Sequence, residues 1–152
     1  ELLEALVAAA GPGRVGVKLT PDIGWHGLVD ATPRDTWAYL VRALNGFPLA
    51  YLHVVQLRPG TDYHRLCRLL YDGVYVVGGG LTPDTARQAL AVGEADAVAF
   101  GRAFIANPDL PTRLRHGLPL AESDPATWFG DGPEGYIDYP PARGVLPAGA
   151  GS

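Results

Sequence analysis

Three places in this chain hold residue types suited to binding an anion. One is Ala97-Val98-Ala99-Phe100-Gly101-Arg102, a short apolar run that ends in a glycine and an arginine. The glycine lets an anionic group approach the backbone closely, and the arginine adds a fixed charge on a planar fork of donors. Another is the triplet Gly78-Gly79-Gly80, which follows Val74–Val77 and precedes Thr82-Pro83. Backbone amides at such a bend can donate to phosphate oxygens, although a glycine triplet also serves simply as a turn. The third is Lys18, the only lysine in a chain whose other basic side chains are arginines. It stands in an apolar stretch, where a charge either points at something or snorkels from a strand end.

Other residues read less sharply. His53, inside Leu49–Val55, reads first as a hydrogen-bonded core histidine and second as a catalytic one. Asp22, His26 and Asp30 share a long loop, but their spacing matches no ligand pattern and no metal site is expected. Trp25, on the same loop, reads as a lid aromatic over the mouth of a site. Cys67, the single cysteine, allows no internal disulfide and falls in a helical pattern as an inert buried thiol.

The elements that must position these residues alternate. Arg14–Leu19 reads as a strand, followed by a long loop to Thr32, where an N-cap hydroxyl and Pro33 open a helix with Trp37, Leu40, Val41 and Leu44 at helical spacing. Leu49–Val55 is almost continuously apolar, as expected of a parallel strand covered on both faces. Leu66, Leu69 and Leu70 mark the next helix, and Val74–Val77 the third strand. Thr82-Pro83 caps a helix bearing Ala86, Ala89, Leu90 and Val92. Ala97–Phe100 is the fourth strand, after which Asn107-Pro108 opens a helix ending near His116-Gly117. Strand then helix, repeated, points to an α/β fold of parallel βα units.

The net charge of −4 and the absence of a basic run argue against nucleic acid or an anionic membrane as partner. No apolar stretch approaches the ~20 residues that span a bilayer, and no signal-like segment opens the chain, so a cytoplasmic location is expected.

Four further stretches join the opening motif: Arg14-Val15-Gly16-Val17-Lys18-Leu19-Thr20-Pro21, Ala50-Tyr51-Leu52-His53-Val54-Val55, Gly78 to Gly80, and Glu134-Gly135-Tyr136-Ile137-Asp138-Tyr139-Pro140. In this order and spacing they resemble the C-terminal half of the Old Yellow Enzyme family, the FMN-dependent ene-reductases. The resemblance implies half of a (β/α)8 TIM barrel, about four βα units over residues 1–140, with a flexible tail at 141–152. It places the FMN phosphate on Gly79, Gly80, Gly101 and Arg102, at the loops where such barrels commonly bind phosphate. Lys18 takes the place of an arginine beside the flavin pyrimidine edge, keeping the charge and losing the fork. Leu81 stands where the family usually has an aromatic residue. Trp25, Trp128 and Phe129 would line the substrate pocket, Phe129 without the hydroxyl of the tyrosine common there. Gly135–Pro140 is expected to close the fold and to have no chemical role.

The implied reaction is a flavin shuttle: NADH or NADPH reduces FMN, and hydride then passes to the β-carbon of an α,β-unsaturated substrate. The groups that grip and protonate the substrate belong to the family's other half, so no catalytic residue is expected here. The chain has no methionine and starts within a helical pattern, as a truncated or excised fragment would, or a mature chain that has lost its initiator. A half barrel exposes strand edges and an apolar face, so a separate N-terminal half or self-association is expected. Two other readings stand beside this one: half of a phosphate-binding barrel enzyme without flavin, and a catalytically empty interaction or relic domain.

Overall fold

The computed structural model describes residues 1–24, 27 and 29–142, and the chain divides into two compact units, Glu1–Ala99 and Phe100–Ser152. The expected tail lies for the most part outside the described residues, from 143 onward.

The first unit runs α1 (Leu2–Ala10), β1 (Gly16–Leu19), α2 (Pro33–Leu44), β2 (Tyr51–Val55), α3 (Tyr63–Arg68), β3 (Tyr75–Gly78), α4 (Pro83–Ala91) and β4 (Ala97–Ala99). Its four strands form one sheet in the order β1-β2-β3-β4, every pair parallel. This is the alternation expected; β1, β2 and β4 are one to two residues shorter than their apolar runs, and β3 has the same length, set one residue later. Successive side chains in a strand point to opposite faces, so the register sorts them. Leu52 pairs with Val17 and Tyr75, and Val54 with Leu19 and Val77; this face packs on Val41, Leu44, Tyr63 and Cys67 of the helices. Lys18 pairs with His53, His53 with Val76, and Val76 with Ala97 across the opposite face. Of β2, the strand expected to be covered on both sides, this second face leaves Tyr51 42% exposed, and beside it Gly16 and Lys18 of β1 are exposed.

Both expected caps head helices, by different means. The Thr82 hydroxyl accepts from the Thr85 amide and the Thr85 hydroxyl from the Thr82 amide, a reciprocal box that satisfies two free donors. Thr32 heads α2, but its hydroxyl makes no capping bond: with φ −133° and ψ 57° its backbone is not in the extended conformation of a capping residue. Its own amide is taken instead by Asp30 Oδ1, 2.8 Å away.

The second unit holds α5 (Arg102–Ala106), α6 (Leu110–His116) and a 3-10 turn, Pro125–Thr127. The sequence suggests one helix from Asn107-Pro108; the structure has two, and Asn107 separates them. Its side chain, fully buried, donates to the carbonyls of Ala103 (2.8 Å) and Ala121 (2.9 Å) and accepts from the Ala121 amide (2.8 Å). An asparagine committed to three backbone groups ends one helix and anchors a distant loop at once. α6 then starts after Asp109 and stops at Gly117, as expected.

Candidate functional site

On the open face of the first unit's sheet, Lys18 and His53 stand side by side in register. His53 is half-buried, and its Nε2 has no hydrogen-bond partner among the described residues. That differs from the hydrogen-bonded core histidine expected. The ring lies over Gly78, where a Cβ would come within 2.9 Å of Nε2. Burial, then the charges of Lys18 and His64, lower the His53 pKa below its ordinary value of 6.5. The imidazole is therefore neutral at neutral pH, and this face carries one cation, on Lys18, beside an uncommitted polar ring.

The strand C-terminal ends lead into the glycine loop. Gly79 has φ +91° and Gly80 φ +67°, the left-handed region that glycine enters without strain. At Gly79 a side chain would overlap the carbonyl of Gln56, so the loops after β2 and β3 touch backbone to backbone. At Gly80 nothing lies within 4 Å of the place a Cβ would take. Both glycines line a cleft of about 300 Å³ with Gln56, Leu57, Arg58, Pro59, Asp62, His64 and Leu81. Gln56 shapes its floor: Oε1 accepts from the Tyr63 amide at the start of α3 (2.9 Å) and Nε2 donates to the Arg58 carbonyl (3.1 Å). His64 Nε2–H donates to the Gly78 carbonyl at 3.1 Å, and burial lowers its pKa, so this ring too is neutral at neutral pH. The sequence reading missed Gln56, Arg58 and His64. For Gln56 and Arg58 the signal was their place just after β2, where loop residues face the strand ends; His64, the second residue of α3, carried no such signal.

In the second unit Gly101 is the residue before α5 and Arg102 is its first residue. Gly101 has nothing within 4 Å of its would-be Cβ, and Arg102 is exposed. The Arg102 guanidinium lies over the Trp128 ring, 5.2 Å from its centroid. Phe129, the other half of the aromatic pair, is 94% exposed. Gly135–Pro140 closes this unit: the Pro140 carbonyl accepts from Arg113, and the Tyr139 hydroxyl accepts from the Asp124 amide.

Trp25 and His26 lie outside the described residues. Among the described residues no group of three histidine, cysteine or acidic side chains could hold a metal ion, and no helix is long and apolar enough to cross a membrane. Cys67 is fully buried and desolvation pushes its pKa up to about 11, so it is the inert thiol expected. Taken separately, the first unit offers Lys18, the open backbone of Gly80 and the uncommitted His53 imidazole, and the second offers Gly101 beside Arg102; each group is of a type that can meet a phosphorylated, anionic ligand.

Comparison with known proteins gives these groups a context. The family model for the NADH:flavin oxidoreductase / NADH oxidase family matches residues 1–121. Over 149 residues the chain is 34% identical to 12-oxophytodienoate reductase 2 of Arabidopsis thaliana, covering 92% of this chain and 40% of that protein. The old yellow enzyme of Trypanosoma cruzi superposes with a TM-score of 0.88 at 35% identity, covering 92% of this chain and 38% of that one. Morphinone reductase, in a complex with tetrahydroNAD, superposes with a TM-score of 0.84 at 38% identity, covering 99% and 41%. The chain spans about two fifths of the length of these relatives. Its parallel βα units are thus part of a (β/α)8 barrel, and the chain belongs to the NADH:flavin oxidoreductase / NADH oxidase family.

Proposed function

We propose that this chain supplies one wall of the FMN site of an ene-reductase that draws on NADH or NADPH. The observation that supports this best is the loop after β3. Gly79 is pressed against the Gln56 carbonyl in a conformation that suits glycine, and Gly80 beside it is open. Gly79 and Gly80 would donate backbone amides to the cofactor phosphate from the first unit. Gly101 and Arg102 would bring an amide and a guanidinium from the second. Lys18 would supply the cation that stabilises negative charge on the reduced ring, as a point charge rather than a planar fork. Phe129, lacking a hydroxyl, would offer an apolar wall to the substrate. When bound, FMN would supply the redox chemistry that links the nicotinamide to an α,β-unsaturated substrate. With no catalytic acid assigned to this chain, turnover needs a second half-barrel, set against the open face that holds Lys18 and Tyr51.

The test is the visible absorption spectrum of the purified chain with added FMN, alone and mixed with the N-terminal half of a related barrel. A bound-flavin spectrum in the mixture, weakened in Gly79→Ala, is the expected result. Co-elution of the two halves without any bound-flavin spectrum overturns the proposal.

A further inference from the structure

We propose that Trp128 is a positioning residue for Arg102: its indole face carries the guanidinium and fixes where that cation presents its donors to a phosphate. The inference rests on the FMN reading above and extends it to a residue that the sequence suggested only as a pocket wall. Arg102 is exposed, and an exposed arginine samples many rotamers unless something holds it. Here the guanidinium lies 5.2 Å from the Trp128 centroid, within the ~6 Å reach of a cation–π contact. Among the described residues no carboxylate pairs with Arg102. A guanidinium stacked on a ring and unpaired at its edge keeps its N–H fork free for an anion.

The ring itself is held through its backbone. Trp128 Nε1 is buried and has no acceptor among the described residues, so no hydrogen bond of its own orients the indole. Trp128 instead caps the 3-10 turn Pro125–Thr127, which is tied at several points. Asp124 Oδ1 accepts from the Ala126 amide (2.9 Å), and Thr127 Oγ1 donates to the Asp124 carbonyl (3.0 Å). The Asp124 amide donates to the Tyr139 hydroxyl (2.9 Å). Gly135, buried and at φ +73°, lies where any side chain would overlap that of Thr127. The Gly135–Tyr139 segment thus acts on Arg102 by way of Trp128, which gives the closing segment a role beyond closing the fold.

The full chain and its Trp128→Leu and Trp128→Phe variants, each mixed with the N-terminal half of a related barrel, are titrated with FMN and with riboflavin, which lacks the phosphate. Trp128→Leu should weaken FMN roughly tenfold and leave riboflavin unchanged, and Trp128→Phe, which keeps a ring face, should retain most of the FMN affinity. In an Arg102→Gln background Trp128→Leu should add nothing. Equal weakening of both flavins, or no weakening of either, overturns the proposal. In parallel, NMR of flavin-free protein should show the Arg102 side-chain protons shifted upfield by the ring in the parent chain and not in Trp128→Leu. Absence of that shift overturns the proposal whatever the flavins do. Its presence in a chain that co-elutes with the N-terminal half and still binds neither flavin sinks the FMN reading and upholds Trp128 as what holds Arg102.

Discussion

The two units are held together by different physics. In Glu1–Ala99 the buried residues are nearly all apolar, with Leu52, Val54, Tyr75 and Val77 of the strands set against Val41, Leu44, Tyr63 and Cys67 of the helices, each 3% exposed or less. Among the described residues of Phe100–Ser152 the buried apolar side chains are few, Ala106 and Leu110, and two polar residues join them, Asn107 and Arg113. Arg113 donates to Asp109 (2.7 Å), to the Pro119 carbonyl (3.0 Å) and to the Pro140 carbonyl (3.0 Å). Hydrophobic burial is non-directional and shared over many contacts, whereas a hydrogen-bond hub concentrates a unit's geometry in a few atoms. The first unit is therefore built to support a sheet, and the second to hold irregular chain at fixed points.

Core and hub substitutions should separate the units. Leu52→Ala removes a fully buried side chain between two neighbouring strands, and the lost burial plus the cavity should cost about 3–5 kcal/mol. Arg113→Met keeps the apolar stem and strips the Asp109 carboxylate and two carbonyls of their donor, for about 2–3 kcal/mol, less than a wholly unpaired buried charge because the Ala142 amide still reaches Asp109 Oδ2 at 2.8 Å. Hydrogen exchange read by mass spectrometry checks both. Leu52→Ala should lower protection in the strands and admit thiol reagents to Cys67, while Arg113→Met should lower it in α6 and around Ala121. Loss of protection across the whole chain in both variants would break the distinction.

Acid should also act on the two units in turn. His53 and His64 have pKa values lowered from 6.5, chiefly by burial, so below that value the unfolded chain takes up protons that the folded first unit resists. Its stability should fall as pH drops through about 6.5 and below. Asp109 is lowered from 3.8 by the Ala142 amide first and Arg113 second, so its contribution is complete above 3.8 and is lost only as pH falls further. A urea series between pH 7.5 and 4.5 should therefore show midpoints falling for the strands but not for α6. His53→Gln together with His64→Gln should flatten the strands' dependence.

The same difference explains what the sequence could tell. Parallel strands of the first unit are legible because Leu49–Val55 and Val74–Val77 are apolar runs bounded by turn residues, and burial is a property each residue type carries locally. The glycine loop was legible for a related reason: glycines just past a strand mark backbone in unusual conformations. Asn107 misled, since beside Pro108 it reads as a helix start, while its actual partners at Ala103 and Ala121 are set by tertiary structure. Arg102 and Trp128 were each noticed, but nothing in either residue names the other. His53 drew attention as a polar residue in an apolar strand, and its lack of a partner is visible only once Gly78 is seen beneath it. Directional contacts between distant residues leave no local pattern, so the hub-built unit was the less readable of the two.

The smallest effects sharpen the comparison furthest, because caps act locally. Thr82→Ala removes a reciprocal cap from α4, a helix whose Ala86 is buried, so its loss of about 1 kcal/mol should appear in the global stability of the first unit. Asp124→Ala removes a comparable bond, the one to the Ala126 amide, from a three-residue 3-10 turn that buries nothing. There the freed amide can turn to water, so the stability of α6 read from urea unfolding should change by less than about 0.5 kcal/mol. Exchange of the Ala126 amide should nevertheless quicken severalfold, and the indole of Trp128, one residue past that turn, should lose its fixed contact with Arg102. A global loss from Asp124→Ala as large as that from Thr82→Ala would mean that the turn is part of the second unit's cooperative core rather than an arm that carries one aromatic ring.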